Sequence, residues 1–307
     1  MGRQSSFPHW GKVCALEEFV GTRENDGAGK QAYMRVLFIG DIVGRPGRRA
    51  VAWWAPKLRE ERKIDLVIAN GENAAAGCGI TDKTAEQLFR MGVDVITTGN
   101  HAWDKKEGVP LIEEGRILRP ANYPPGVSGL GSGVVRTAHG EPLGVLNLQG
   151  RVFLKVIDCP FRSAKREIER LRSETVAIIV DFHAEATAEK LAMGWYLDGE
   201  VAAVIGTHTH VQTADERVLP GGTAYITDVG MTGPFESVIG MEIESSVQRM
   251  LTGLPVRLEP AKNDVHLCGV IVEIDMTSGH AVSIERLRLP LGRGHTGERL
   301  SDEEDSD

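Results

Sequence analysis

Val201-Ala202-Ala203-Val204-Ile205-Gly206-Thr207-His208-Thr209-His210 is an apolar run that ends in a glycine and two histidines. Such a run reads as a strand buried on both faces, the signature of a parallel sheet covered by helices. In an extended segment residues i and i+2 point the same way, so His208 and His210 are expected to aim their imidazoles at neighbouring points of one cleft. That suits a metal, but a single His-x-His is more often a polar turn. The metal reading gains force only if other strands end in the same way.

They do. Ile39-Gly40-Asp41-Ile42-Val43-Gly44 closes an apolar run with Asp41, a hard oxygen ligand whose alternative role is to cap the following helix. Val67-Ile68-Ala69-Asn70-Gly71-Glu72-Asn73 ends in Glu72, whose two oxygens can bridge two cations, and Asn73. Val95-Ile96-Thr97-Thr98-Gly99-Asn100-His101-Ala102-Trp103-Asp104 offers the amide oxygen of Asn100 to a metal and His101 to a substrate. Val176-Ala177-Ile178-Ile179-Val180-Asp181-Phe182-His183 ends on His183. A solitary histidine there would be a satisfied core residue. Five successive strands ending in metal-ligating residue types point instead to one metal site at one sheet edge, where open α/β sheets bind ligands.

The rest of the chain is consistent with a large α/β unit. Its 307 residues are 41% hydrophobic and 25% charged, as in an ordinary globular protein, and the formal net charge is −8. That balance argues against a long nucleic acid as partner, because phosphate-backbone binders are usually basic. Cys14, Cys78, Cys159 and Cys268 are scattered without a Cys-x-x-Cys pair, so neither a zinc knuckle nor a disulfide framework is expected, and a reducing cytoplasm fits. No apolar run approaches the ~18 residues that span a bilayer. Residues 1–33 lack periodicity and read as a disordered extension. Residues 292–307 end in an acidic run, Ser301-Asp302-Glu303-Glu304-Asp305-Ser306-Asp307, and read as a solvated tail. A single domain is expected over 34–291.

Within it the pattern predicts strands over 35–40, 65–70, 93–98, 133–138, 143–149, 175–182, 201–206, 223–229, 267–275 and 280–288. Helices are predicted over 47–62, 82–91, 161–173, 186–198 and 241–252. Early strands alternate with helices, which implies parallel pairing, while the last two flank the turn Met276-Thr277-Ser278-Gly279 and read as a hairpin. The expected architecture is a layered α/β/β/α sandwich with mixed sheets.

The order Gly-Asp, Gly-Glu-Asn, Gly-Asn-His, His and Gly-Thr-His-Thr-His resembles the calcineurin-like metallophosphoesterase superfamily. Two departures narrow the match. Asp41-Ile42-Val43 lacks the histidine of the usual Asp-x-His motif, and Glu72 followed by Asn73 replaces the usual bridging aspartate. Both departures are the pattern of the YmdB-like branch of 2′,3′-cyclic-nucleotide 2′-phosphodiesterases. The resemblance spans Met34 to Leu291 and includes Gly40-Asp41-Ile42-Val43-Gly44-Arg45-Pro46-Gly47 and Thr227-Asp228-Val229-Gly230-Met231-Thr232-Gly233-Pro234.

That resemblance implies two divalent metals. Asp41, Glu72, Asn73 and His210 would hold one, and Glu72, Asn100, His183 and His208 the other, with Glu72 bridging. His101 would be the proton donor. Two cations about 3.5–4 Å apart can acidify a shared water and neutralise phosphate oxygens during in-line attack. A general acid then adds about 10²–10⁴-fold by protonating the departing ribose oxygen. The oxygen-rich shell suits Fe or Mn, and the family suggests iron.

Weaker signals surround this site. Arg45, Arg48 and Arg49 open a helix and are candidates to meet a substrate phosphate. Gly129-Leu130-Gly131-Ser132-Gly133 precedes a strand rather than a helix and is therefore a turn, not a dinucleotide fingerprint. Trp53 and Trp54 read as packing or a subunit contact, and Met231 to Ile239 as a loop at the site's mouth. The expected activity is opening of a small cyclic nucleotide such as 2′,3′-cAMP by a cytoplasmic homo-oligomer. The rivals are a phosphomonoesterase or protein phosphatase of the same fold, a nucleotide-sensing regulatory module, and a metal-dependent nuclease.

Overall fold

In the computed structural model, which describes residues 33–292, the apolar runs become the strands of two mixed sheets. The first half alternates β1 (Tyr33–Ile39), α1 (Gly44–Glu61), β2 (Leu66–Asn70), α2 (Asp82–Arg90) and β3 (Val95–Thr97). A short 3₁₀ turn, α3 (Val109–Glu113) and β4 (Ile117–Leu118) complete it. The second half continues with β5 (Ser132–Arg136), β6 (Pro142–Gln149), α4 (Pro160–Leu171), β7 (Ile178–His183), α5 (Thr187–Tyr196) and β8 (Ala203–Thr207). It closes with β9 (Arg217–Val218), β10 (Ala224–Ile226), β11 (Gly233–Pro234), α6 (Ile243–Thr252), β12 (Val265–Asp275) and β13 (Ala281–Pro290).

One sheet has the order β11-β12-β1-β2-β3-β4, with β13 also paired to β12. The other runs β5-β6-β7-β8-β10-β9. As expected, β1, β2 and β3 pair in parallel, joined by a parallel β4, and β12 and β13 form an antiparallel hairpin. In the second sheet β6, β7, β8 and β10 are parallel, with β5 and β9 antiparallel at the edges. Every predicted strand and helix is present, within a few residues at each end. The two-residue strands β4, β9 and β11 and the short α3 were not predicted, because so few residues carry no periodicity.

The side-chain period of two sorts the core. From β1, Leu37 and Ile39 pack with Val67 of β2 against Ala50, Val51 and Leu58 of α1 and Leu88 of α2. The alternate residues Val36 and Phe38, with Ile68, form a different cluster with Val145, Ile179, Ile205 and Ile226 of the second sheet. The other face of that sheet packs Leu148, Val180 and Phe182 against Ile168 and Leu171 of α4 and Met193 of α5. Each of these Val, Leu, Ile, Phe and Met side chains contributes about 1.5–3 kcal/mol on burial, so the strand faces are strongly specified.

Local signals start the helices. Thr81 caps α2: its hydroxyl accepts the Thr84 N–H at 3.2 Å, and the Thr84 hydroxyl accepts the Thr81 N–H at 2.9 Å. Pro160 opens α4, where its missing N–H has no helical partner to lose. Tyr33, expected in the extension, opens β1 instead, whereas residues 1–32 and 293–307, the remainder of both expected tails but for Gly292, lie outside the described residues. Among the described residues no helix is long and apolar enough to cross a membrane.

Candidate metal centre

All seven residues expected to bind metal sit just past, or at, the carboxyl ends of β1, β2, β3, β7 and β8, where the two sheets meet. Asp41 follows β1 and is fully buried. Its Oδ2 accepts the His208 N–H at 3.1 Å, and its Oδ1 has no hydrogen-bond partner among the described residues. Glu72, past β2, is also buried. Its Oε1 accepts the His101 N–H at 2.8 Å, and Oε2 has no such partner. Asn73 anchors its amide nitrogen on the Gly77 carbonyl at 3.1 Å and leaves its buried Oδ1 without a partner. Three acceptor oxygens from adjacent loops are therefore desolvated with no proton to receive, which is costly unless a cation completes them.

The imidazoles follow the same logic. Thr207 Oγ1 donates to Asp181 Oδ1 at 2.7 Å and lies 2.9 Å from His183 Nδ1, so it accepts the Nδ1 proton and leaves the Nε2 lone pair of His183 facing inward. Glu185 Oε2 lies 3.1 Å from His208 Nε2, which fixes the proton there and turns the Nδ1 lone pair inward. The two lone pairs face one another, His208 Nδ1 to His183 Nε2, at 3.0 Å. Asn100 Oδ1 approaches the same His183 Nε2 at 3.2 Å and Glu72 Oε1 approaches it at 3.4 Å. Four acceptors thus converge with no proton between them. On the other side, His210 donates from Nδ1 to the Ile239 carbonyl at 2.8 Å, leaving Nε2 free at 3.9 Å from Asp41 Oδ1. Ile239 belongs to the loop expected at the site's mouth.

The electrostatics agree. Burial lowers His183 to about 4 and His208 to about 3, so both are neutral at ordinary pH. Burial raises Glu72 to about 7 and Asp41 above its ordinary value, in each case against the pull of nearby histidines. Desolvated carboxylates beside neutral imidazoles are a donor set that fits a divalent cation.

The path of the histidines differs from the expectation. His208 and His210 have φ of 96° and 65°, so the chain has left the extended conformation and two left-handed turns, not strand alternation, aim the rings. Such strain at non-glycine residues costs on the order of 1–3 kcal/mol each and is characteristic of functional sites. Asp228 holds it in place: Oδ2 accepts the Thr209 N–H at 3.0 Å, its hydroxyl at 2.6 Å, and the buried Lys190 ammonium at 2.6 Å. Gly99 is required by space, since a Cβ there would lie 2.1 Å from His183 Cδ2 and 2.2 Å from Glu72 Oε2.

His101, the expected proton donor, has its imidazole outside the ligand cluster and partly exposed. Its Nδ1 lies 2.7 Å from Asp104 Oδ2. Partial burial pushes Asp104 up, but hydrogen bonds from His101 and Cys78 win and hold it below its ordinary value. Asp104 therefore fixes the Nδ1 proton and leaves Nε2 outside this contact. The arginines separate. Arg45 is exposed, whereas Arg48, expected at a phosphate, is 1% exposed and donates to the Ala74 carbonyl at 2.6 Å. This corrects the expectation for Arg48: it braces the loop carrying Glu72 and Asn73, because a guanidinium in the core takes carbonyl partners.

Several supporting residues were not singled out in the sequence. Asn70 and Thr97 of one sheet donate to Asp181 Oδ2 of the other at 3.0 and 2.5 Å, tying the sheets together beneath the site. Burial raises Asp181 to about 7 despite these bonds. The available signal was a carboxylate inside the apolar run of β7, two residues before His183 and on its face.

These features define an α/β protein with a candidate divalent-metal centre at the strand ends of two sheets. The sequence model of the YmdB-like protein family matches residues 37–287, and the chain belongs to that family. It is 52% identical over 257 residues to a 2′,3′-cyclic-nucleotide 2′-phosphodiesterase of Bacillus subtilis strain 168, covering 83% of this chain and 97% of that protein. Among solved structures it is similar to a hypothetical protein of Thermus thermophilus, with 43% identity, TM-score 0.79, and coverage of 84% of this chain and 100% of that one. A phosphatase of Mycoplasma pneumoniae superposes with 36% identity and TM-score 0.78, over 84% of this chain and 94% of that one.

Proposed function

We propose that this chain is a dinuclear metal phosphodiesterase that opens 2′,3′-cyclic nucleotides to 3′-monophosphates. The observation that carries the reading is the convergence of acceptors without donors: Asp41 Oδ1, Glu72 Oε2, Asn73 Oδ1, and the facing lone pairs of His183 and His208. Identity to the Bacillus phosphodiesterase over nearly the whole described chain supports the substrate class. In this reading Asp41, Glu72, Asn73 and His210 hold one ion and Glu72, Asn100, His183 and His208 the other, Fe or Mn by the mix of oxygen and imidazole donors. Bound there, the ions supply neutralising charge to the phosphate and acidify water. The Glu72 backbone loop and the His208 turn set the positions of the donors, and in this reading the exposed Arg45 at the start of α1 meets the anion. His101, held through Nδ1 by Asp104, passes a proton from Nε2 to the ribose oxygen that departs.

The same reading takes the domain to be a four-layer α/β/β/α sandwich, supported by one apolar cluster between the sheets and one under the helices of each outer face. It also takes the enzyme to be a cytoplasmic homo-oligomer. Free Cys78, Cys159 and Cys268 suit a reducing compartment, and the exposed α6 residues Val247, Met250 and Leu251 suit a subunit contact.

The test is hydrolysis of 2′,3′-cAMP by protein stripped of metal and reloaded with Fe or Mn, beside His101→Ala. Metal-restored release of 3′-AMP, lowered about 10²–10⁴-fold in the variant at unchanged metal content, is expected. Two bound metals with intact substrate would reopen the substrate class. A second reading, a phosphomonoesterase, draws on the similarity to the Mycoplasma phosphatase, and faster cleavage of p-nitrophenyl phosphate than of its bis-ester would favour it.

A further inference from the structure

Beside the candidate centre, and sharing none of its ligands, lies a second group of donors. Cys78 comes from the loop after β2 and His101 and Asp104 from the loop after β3. Cys78 Sγ is 3.4 Å from His101 Nδ1 and 3.3 Å from Asp104 Oδ2, and the latter two are 2.7 Å apart. We propose that Cys78, His101 and Asp104 form a separate, thiophilic metal site at which a borderline-soft cation such as Zn²⁺ switches off the proton donor.

The dimensions fit. With Zn–S of about 2.3 Å and Zn–N or Zn–O of about 2.0–2.1 Å, the edges of a tetrahedron are about 3.6 Å from sulfur and about 3.4 Å between nitrogen and oxygen. Both sulfur edges are already within about 0.3 Å of that, and only the His101–Asp104 edge must open, by about 0.7 Å. His101 and Asp104 side chains are 36% and 42% exposed, which leaves room for this movement and for water as the fourth ligand. A thiol beside an imidazole and a single carboxylate selects Zn²⁺ over the hard ions that an oxygen-rich shell takes. The strand-end centre holds no cysteine, so the two sites differ in the ions they prefer.

The consequence follows from proton accounting and rests on His101 as the donor. Occupying the site releases the Cys78 thiol proton and the Nδ1 proton that His101 shares with Asp104. His101 then carries its only proton on Nε2 and is a neutral, metal-bound imidazole, with no lone pair left to form imidazolium. A neutral imidazole N–H is a far weaker acid than imidazolium, so proton transfer to the leaving oxygen is lost while the strand-end ligands stay untouched. Removal of the cation restores both protons and the activity.

The experiment titrates Zn²⁺, and in parallel Co²⁺ as a spectroscopic probe, into the Mn-loaded enzyme and into Cys78→Ser, which keeps a hydrogen-bond donor to Asp104. The wild type is expected to develop a thiolate-to-cobalt charge-transfer band and to lose turnover at least about tenfold with Zn²⁺, reversed by a chelator of moderate strength. Cys78→Ser is expected to show neither change relative to its own Mn-loaded baseline before Zn²⁺ or Co²⁺ is added. Absence of the band, or equal inhibition of Cys78→Ser, overturns the site. A Cys78-dependent band with undiminished turnover overturns the switch and counts against His101 as proton donor, leaving the strand-end centre unaffected.

Discussion

Thr207→Val removes one hydroxyl from a fully buried position and changes little else in shape. Thr207 Oγ1 donates to Asp181 Oδ1 at 2.7 Å and accepts the His183 Nδ1 proton at 2.9 Å. Without it His183 loses the partner that holds its proton on Nδ1, so the tautomer with Nε2 protonated, which cannot ligate through Nε2, becomes populated. Loss of such a partner behind a metal-bound histidine costs about 10–100-fold in metal affinity, or about 1.4–2.7 kcal/mol. Asp181 keeps its bonds from Asn70 and Thr97, so the fold should survive with a loss of about 1–3 kcal/mol. At about 2–4 °C per kcal/mol for a domain of this size, metal-free Tm should fall by roughly 2–12 °C. Chelator competition measures the affinity and thermal unfolding the stability, with Thr207→Ser expected to restore most of both. A Thr207→Val protein that binds metal as tightly as wild type while losing only Tm would refute the tautomer argument.

Three further outcomes follow from the same geometry. Because burial raises Glu72 to about 7, the metal-free protein holds a proton there below that pH, and a metal must displace it; affinity should fall as pH drops below about 7. His183 and His208, lowered to about 4 and about 3, add no competition in that range. Calorimetry in buffers of different ionisation enthalpy should therefore detect release of the Glu72 proton near pH 6, and an affinity flat between about pH 6 and 8 would contradict the assignment. Lys190→Met leaves the Asp228 carboxylate buried without its cation and should cost about 3–5 kcal/mol, lowering Tm on the order of 10 °C; unchanged Tm would mean the pair contributes nothing. In the Lys190→Met protein that remains folded, metal affinity should also drop, since Asp228 positions Thr209 between the two histidines.

The strand ends were readable in one dimension because a strand buried on both faces must be a continuous apolar run, and a polar residue just beyond it must lie at the sheet edge. Asp41, Glu72, Asn73, Asn100, His183, His208 and His210 were all selected on that ground, as was the parallel pairing implied by intervening helices. Arg48 was misjudged for a related reason. Helix position alone does not tell a solvent-facing arginine from one whose guanidinium turns inward to a carbonyl of a distant loop.

What only the tertiary structure decided is which lone pairs face one another. The left-handed φ at His208 and His210, the Thr207 hydroxyl between Asp181 and His183, and the Glu185 and Ile239 partners that set the tautomers all depend on contacts between segments far apart in the chain. The meeting of Cys78 with Asp104 is of the same kind, since two loops from different strands must pack before either residue has a partner. Local pattern determines where backbone order ends and chemistry begins. The direction of each proton is set by desolvation and by partners that only the folded chain brings within reach.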